Sequence, residues 1–224
     1  MSARDEILAN IRASLGVTGA EAPRRQAVQE RLSRAPAGIV PARGQGDDAA
    51  RVATFKAEAA RAQASVAEVD RAADVPVEIA RYLREANLPA ALRMGDDARL
   101  AAMPWGETAL EIAHGPSDGH DHVGVSAAFA GIAESGTLAL CSGPDNPTTI
   151  NFLPDNHIAV VFARDVVGDY ESVWRKLRER YGKGAMPRTL NLITGPSRSA
   201  DIEQTLLLGA HGPRRLHIVM VKEG

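Results

Sequence analysis

The stretch Asn191–Val221, NLITGPSRSADIEQTLLLGAHGPRRLHIVMV, contains apolar runs that are separated by two polar turns. The first turn follows Gly195 and carries hydroxyls, an arginine and two acids, and the second contains His211 between glycines. Short apolar runs bounded by glycine and proline are typical of buried strands. The stretch therefore predicts a sheet whose connecting loops hold the polar chemistry.

Helical and strand-like segments alternate from Asp48 onward. The helical segments are 48–64, 75–87 and 169–182, and the strand-like segments are 65–70, 90–94, 109–113, 157–163, 189–194 and 216–221. Two further strand-like halves in 131–141 flank Glu134-Ser135-Gly136, a pattern typical of a hairpin. We therefore predict a three-layer α/β fold, with a mainly parallel sheet covered by helices and an inserted antiparallel hairpin.

The N-terminal segment has a different pattern. Ser2 and Asp5 resemble an N-cap box, and an apolar helical stripe follows and stops at Gly16. Residues 17–47 are rich in Ala, Pro, Arg, Gln and Gly without a sustained period, which predicts a linker. The chain is accordingly divided into a helix with a linker at 1–47 and an α/β domain at 48–224.

Charge and apolar content limit the possible functions. Of the 224 residues 45% are hydrophobic, which is enough for a large core. The 26 basic and 28 acidic residues leave a net charge of −2, so no overall field favours nucleic acid or an anionic membrane. No apolar run approaches the ~20 residues that span a bilayer. We expect a cytoplasmic protein without a membrane span, in which any anion site is local.

Cysteine and histidine usage bears on cofactors. Cys141 is the single cysteine, which excludes an internal disulfide and a self-contained iron–sulfur cluster, since such a cluster needs about four thiolates. His120 and His122 flank an aspartate, but two imidazoles do not complete a metal site. The common glycine-rich phosphate loops do not occur in the sequence. We expect no metal and no cofactor to be bound by this chain alone.

The turn after Gly195 is the first candidate site. Arg198 offers a planar cation suited to carboxylate or phosphate, and the hydroxyls beside it could orient an anion. Alternatively, these polar residues only cap a helix, and Arg198 is a solvated charge. The candidate ligand-binding residues of this turn and the next are Gly195, Ser197, Arg198, Ser199, Asp201 and Gly212. The loop is expected beyond the carboxyl end of a parallel strand, where ligands of such sheets bind.

Two residues are candidates for proton transfer or covalent catalysis. His211 could act as acid, base or hydrogen-bond donor, although a lone histidine is also common in structural roles. Glu134, followed by Ser135, Gly136 and Thr137, could be a nucleophile or general base with ligand-binding neighbours. The alternative for this segment is a polar hairpin tip. If the three turns share one pocket, Glu134, Arg198 and His211 lie together.

Three segments carry a resemblance to a known family. The sequences GIAESGTLAL (131–140), LPDNHIAVV (153–161) and TGPSRSADIEQTLLLGAHGP (194–213) are similar to the lactate utilization protein C family, whose shared module is the LUD domain. The resemblance implies a fold related to the coenzyme A transferase and ribose-5-phosphate isomerase group. It also implies a bacterial system that oxidises L-lactate to pyruvate, with iron–sulfur and cysteine-rich proteins as partners.

Three functions are consistent with these observations. The first is a non-cluster component of an L-lactate utilization system, with a pocket for a small anion or a cofactor and with the iron–sulfur clusters on partner subunits. The second is a stand-alone transferase or isomerase that acts on a coenzyme A ester or a sugar phosphate. The third is a module that senses a metabolite without catalysis.

Overall fold

The computed structural model describes residues 2–200 and 206–223. The helices are α1 (Ala3–Leu15), α2 (Ala22–Arg34), α3 (Asp48–Arg61), α4 (Val75–Glu85), α5 (Ala98–Ala101), α6 (Thr148–Phe152) and α7 (Tyr170–Tyr181). The strands are β1 (Ser65–Val69), β2 (Ala91–Met94), β3 (Glu111–His114), β4 (Val123–Ala127), β5 (Ala130–Ile132), β6 (Thr137–Cys141), β7 (Asn156–Phe162), β8 (Val166–Val167), β9 (Leu190–Ile193), β10 (Arg198–Ala200), β11 (Leu206–Leu208) and β12 (Arg215–Val221). The chain divides into two compact units, Met1–Ile39 and Val40–Gly224.

The first unit contains α1 and α2. The predicted N-cap box of α1 is confirmed, because the Asp5 backbone N–H donates to Ser2 Oγ at 3.2 Å and the helix ends at the left-handed Gly16. Helix α2 lies in the segment that we expected to be a linker. Its two large apolar side chains, Val28 and Leu32, are both exposed. A helix without a buried stripe gives no period in the sequence, which is why α2 was missed.

The second unit is built on a six-stranded sheet. Its strand order is β1-β12-β7-β4-β2-β3, and every neighbouring pair in it is parallel. Helix α4 contributes Val75, Ile79 and Leu83 to the core on one face of this sheet. On the other face, Phe55 and Ala59 of α3 pack against alternate residues of β7 and β12. The predicted α/β fold with a mainly parallel sheet is confirmed.

The inserted hairpin forms a second, mixed sheet with the order β8-β5-β6-β9. Strands β5 and β6 are antiparallel, as predicted, and β9 is antiparallel to β6. Leu138 and Leu140 of β6 face the core shared with the large sheet, whereas Ala139 and Cys141 face α7. The hairpin therefore adds a packed layer between the large sheet and α7.

Two expectations for the stretch 191–221 are wrong. Strand β9 lies in the mixed sheet rather than in the parallel one, so the turn at Gly195 does not follow a strand of the large sheet. In the described part of the chain, the strand that ends at Leu208 pairs with β10 in a two-stranded antiparallel sheet and not with the large sheet. Short apolar runs look alike in sequence whichever sheet they join, because the partner strand is not encoded locally.

Candidate functional site

A cavity of about 250 Å³ lies at the amino ends of β7 and β12, and we call it the Arg198 cavity. It is lined by residues 192–198 and 211–213 together with Asn151, Phe152, His157 and Leu216. Leu216 is the second residue of β12, and His157 is the second residue of β7. We expected the site at the carboxyl ends of the parallel strands, and this expectation is wrong for the cavity that contains Arg198.

Gly195 sets the path of the first wall of the cavity. Its φ of +70° lies in the left-handed region, and a Cβ placed there would stand 2.0 Å from the carbonyl oxygen of Ala62. Both facts require a residue without a side chain. The turn therefore packs directly on the segment after α3. This contact fixes the position of the backbone from which residues 196–198 continue.

Ser197 joins the two polar turns. Its backbone N–H donates to the Pro213 carbonyl at 2.9 Å, and its own carbonyl accepts from the Gly209 N–H at 3.0 Å. Its hydroxyl accepts from the His211 backbone N–H at 3.4 Å. These bonds bring Arg198 and His211 to the rim of one cavity. Ser197 therefore connects the turn after Gly195 to the turn that contains His211.

Arg198 and His211 are the ionisable side chains of the rim, and both are exposed. Within residues 2–200 and 206–223, no carboxylate lies within ion-pair distance of the Arg198 guanidinium. A guanidinium without a partner beside a concave surface is suited to a carboxylate or a phosphate. The rim can thus hold an anion and place an imidazole next to it.

The floor of the cavity is polar and buried. Asn151 of α6 is 0% exposed, and neither its amide oxygen nor its amide nitrogen has a hydrogen-bond partner in the described part of the chain. His157 is 1% exposed, and its Nε2 lies 2.6 Å from Ser126 Oγ. Burial lowers the pKa of His157 to about 4, so its ring is neutral at pH 7.

Glu134 does not line the Arg198 cavity. Its side chain is buried, and its Oε1 accepts a hydrogen bond from the Tyr170 backbone N–H at 3.1 Å, at the first turn of α7. Its backbone N–H donates to the Gly168 carbonyl at 3.0 Å. The expectation of one pocket shared by all three turns is therefore wrong for Glu134, which is held at the start of α7.

The rest of the hairpin tip meets the cavity through a row of hydroxyls. Ser135 Oγ lies 2.7 Å from Thr137 Oγ1, which in turn lies 2.6 Å from Oγ1 of the cavity residue Thr194. Gly136 has φ +64°, and a Cβ there would stand 2.2 Å from the Ala59 nitrogen. The tip is therefore fixed on α3, and its hydroxyl row contacts the cavity wall through Thr194.

Of the candidates named from the sequence, five line the cavity: Gly195, Ser197, Arg198, His211 and Gly212. Ser199 lies on β10, outside the lining, and Asp201 lies outside the described residues. Neither Asn151 nor His157 is among these candidates, so the floor of the cavity was not predicted. A usable signal was the histidine in HIAVVFA, because a polar residue in a fully buried strand needs a partner.

Two other places in the chain bear on metal binding and thiol chemistry, the segment around Asp121 and the residue Cys141. Asp121, between His120 and His122, bonds to Arg93 Nε at 3.0 Å and to Ser117 Oγ at 2.7 Å. Among the described residues, no group of three or more His, Cys, Asp or Glu side chains is arranged to hold a metal ion. Burial raises the pKa of the Cys141 thiol, so this cysteine is not an activated nucleophile.

The fold and the cavity together define an α/β protein with a buried polar floor and a cationic rim at the amino ends of two parallel strands. The family model of the LUD domain matches residues 52–221, and the chain therefore belongs to the LUD domain family. In solved structures, a DUF162 family protein from Deinococcus radiodurans is similar in fold, with a TM-score of 0.56 and 23% identity. The similarity covers 79% of this chain and 99% of that protein.

Curated relatives match part of the chain. The protein named Lactate utilization protein C of Geobacillus thermodenitrificans is 40% identical over 103 residues, which are 46% of this chain and 43% of the relative. Its namesake in Bacillus subtilis is 35% identical over 103 residues, again 46% of this chain and 43% of the relative. The matched part thus spans less than half the length of these relatives. No helix in the described part of the chain is long and apolar enough to cross a membrane.

Proposed function

We propose that this chain is a non-cluster component of a bacterial L-lactate utilization system that oxidises L-lactate to pyruvate. The Arg198 cavity would bind a small carboxylate, as substrate, product or part of a cofactor. The observation that carries the proposal is a guanidinium at the rim of a small cavity for which the described residues offer no ion-pair partner. It is supported by the relatives that are named for lactate utilization.

Each polar group of the rim has a defined part in this proposal. The Arg198 fork would take both carboxylate oxygens in two parallel hydrogen bonds, which fixes the plane of the anion as well as its position. His211 would stand beside the bound anion and exchange a proton with it or with solvent. A cavity of about 250 Å³ suits a small ligand better than a whole coenzyme.

The electron carriers of the reaction would lie on other chains. Oxidising a hydroxy acid to an oxo acid releases two electrons, and the single cysteine here cannot hold a cluster to receive them. We therefore propose iron–sulfur and cysteine-rich partner proteins, with this chain presenting or stabilising the carboxylate ligand. A metal-free preparation of the chain should keep its ligand affinity, which metal analysis and calorimetry on one sample would check.

The direct test is ligand affinity by isothermal titration calorimetry with L-lactate and pyruvate. Arg198→Lys keeps the charge but removes the planar fork, and we expect it to weaken binding about tenfold, whereas Arg198→Ala should weaken it further. The matched control is Arg178→Ala, which removes an exposed arginine of α7 that does not line the cavity. Unchanged affinity in both Arg198 variants would show that Arg198 is only a solvated charge, and it would contradict the proposal.

A stand-alone reaction is the other outcome to look for. Turnover of a coenzyme A ester or a sugar phosphate by the purified chain, without partner proteins, would replace the proposal with a transferase or isomerase function. The assay is informative only beside the Arg198 variants, because an activity that survives both of them arises elsewhere on the molecule.

A further inference from the structure

Asn151 is a buried residue, at a position where an unpaired side-chain amide costs free energy of folding. It lies on the short helix α6, which packs so closely on β4 that a Cβ on Gly124 would stand 2.4 Å from the Ile150 carbonyl oxygen. The amide is fully buried, and it has no partner within residues 2–200 and 206–223. A buried polar group without a hydrogen bond is destabilising, so this amide has both a donor and an acceptor to offer to a ligand.

His157 also lines this cavity, and it contains a second buried atom without a partner among the described residues. Its Nε2 lies 2.6 Å from the buried Ser126 hydroxyl, and its Nδ1 has no partner among the described residues. If the hydroxyl donates to Nε2, the proton of the neutral ring is on Nδ1, which is then a free donor. This arrangement satisfies the serine proton, and it leaves Nδ1–H in need of an acceptor.

The rim and the floor are therefore complementary. The rim carries the cation Arg198, and the floor carries the neutral groups of Asn151 and His157, all lining one cavity of about 250 Å³. An anion that binds only through its carboxylate would leave the floor unpaired. A ligand with an additional oxygen close to the carboxylate would satisfy both parts.

We infer that Asn151 and His157, the latter held by Ser126, select ligands that carry a hydroxyl or oxo oxygen on the carbon next to the carboxylate. This inference rests on the proposed function, in which Arg198 binds the carboxylate. The Asn151 amide can donate to an oxo oxygen or accept from a hydroxyl, and His157 donates to either in the tautomer that carries its proton on Nδ1. The pair therefore distinguishes 2-hydroxy and 2-oxo acids from simple carboxylates of the same size.

The experiment compares three probes on the full chain by titration calorimetry: L-lactate, pyruvate and propionate, which lacks the additional oxygen. We expect L-lactate and pyruvate to bind about tenfold tighter than propionate, since one or two neutral hydrogen bonds are gained. In Asn151→Leu and in Ser126→Ala, the difference between lactate and propionate should fall to less than about threefold. Arg178→Ala, remote from the cavity lining, should keep the full difference.

The outcomes separate this inference from the proposal beneath it. Equal binding of lactate and propionate to the unaltered chain, lost in Arg198→Ala, would overturn the inference and leave the carboxylate site intact. Binding of none of the three probes would overturn both. If Asn151→Leu does not fold, the comparison of probes on the unaltered chain and on Ser126→Ala decides the question without it.

Discussion

Gly195 illustrates how one residue carries two independent constraints. Its positive φ alone disfavours any side chain, and the Ala62 carbonyl 2.0 Å from an added Cβ excludes one sterically. The first constraint costs roughly 1–2 kcal/mol in a non-glycine residue, and a backbone clash adds to it. The residue thus maintains both the stability of the unit and the position of Arg198.

We expect Gly195→Ala to lower the free energy of unfolding by more than ~2 kcal/mol and to weaken ligand binding. The matched control is Gly184→Ala, at φ +81° with no described atom within 4 Å of an added Cβ. This control should show only the conformational cost. Denaturant unfolding of both variants measures the difference, and equal losses would show that the turn can move away from Ala62.

Two buried histidines make stability depend on pH. Burial lowers the pKa of His157 to about 4, and it lowers the pKa of His217 to about 4 even though the Glu78 carboxylate opposes the shift. The ordinary pKa of histidine is about 6.5. Between pH 6.5 and 4 the unfolded chain binds protons that the folded chain does not. The free energy of unfolding is therefore highest above pH 6.5 and falls as the pH drops toward 4.

The replacement that tests this dependence is His217→Phe. The His217 ring stacks on Tyr82 at 3.9 Å between centroids, a contact that phenylalanine can keep. We expect the loss of stability per pH unit between pH 6 and 4.5 to become smaller by up to ~1.4 kcal/mol, the contribution of one proton. Denaturant melts at four pH values give the slope, and an unchanged slope would contradict the assignment to His217.

Helix α7 begins on a contact with the hairpin. Glu134 accepts from the Tyr170 N–H, so the hairpin supplies an acceptor to the first turn of the helix beside its N-cap, Asp169. The Asp169 side chain itself accepts from the Ser172 N–H at 2.8 Å. The two carboxylates together provide acceptors for backbone donors that no helical carbonyl can reach.

This contact distinguishes a structural Glu134 from a catalytic one. Glu134→Gln keeps an acceptor oxygen and should cost less than ~1 kcal/mol, while Glu134→Ala leaves the Tyr170 N–H unpaired and should cost ~1–3 kcal/mol. Thermal unfolding measures both effects. Loss of lactate-dependent growth in Glu134→Gln with unchanged stability and unchanged partner assembly would contradict the structural role.

Whole elements could be predicted where a pattern was strong. The helical segments that became α4 and α7 and the hairpin of β5 and β6 all follow from local spacing. Strand β4 was not predicted, because Gly124 and Ser126 interrupt its apolar residues. The structure explains both interruptions: Gly124 admits α6, and Ser126 bonds to His157. Each depends on an element distant in the chain, which local periodicity cannot encode.

Only the rim of the candidate site could be predicted from the sequence. Arg198 and His211 stand in conspicuous polar turns, whereas Asn151 and His157 acquire their meaning from the register that places β7 beside β4 and β12. The same limitation affected Glu134, since its carboxylate looks equally reactive whether it faces a cavity or the start of a helix. Tertiary partners decide such roles, and the sequence names only the candidates.

The boundary between the two units can be tested at the level of the molecule. The second unit begins at Val40, and residues before Asp48 already belong to it. Gly44 is buried, with the Gly168 carbonyl 2.0 Å from an added Cβ, and Gln45 Nε2 donates to Asp169 at 3.0 Å. Asp47 caps α3 through the Ala50 N–H at 2.8 Å. The segment 40–47 thus stabilises the α/β unit.

We expect deletion of residues 1–39 to leave cooperative unfolding of the remainder nearly unchanged. Deletion of residues 1–47 removes the helix cap and the Gln45 bond, and it should lower the Tm by about 4–8 °C, equivalent to ~2 kcal/mol. Differential scanning calorimetry compares the two. Equal melting temperatures for both deletions would place the boundary at Asp48, and loss of folding in the shorter deletion would mean that α1 and α2 are required.

The position of β12 has a consequence for biosynthesis. This strand lies between β1 and β7, so β1 has no neighbour in the large sheet until Arg215–Val221 is present. The ribosome must therefore release about 150 residues beyond β1 before that edge can close. Meanwhile β7 exposes an apolar edge on the nascent polypeptide, a surface that chaperones recognise. Strand β12 is thus the last strand of this sheet to be synthesised, and assembly of the α/β unit is completed only after residues 215–221 have been translated.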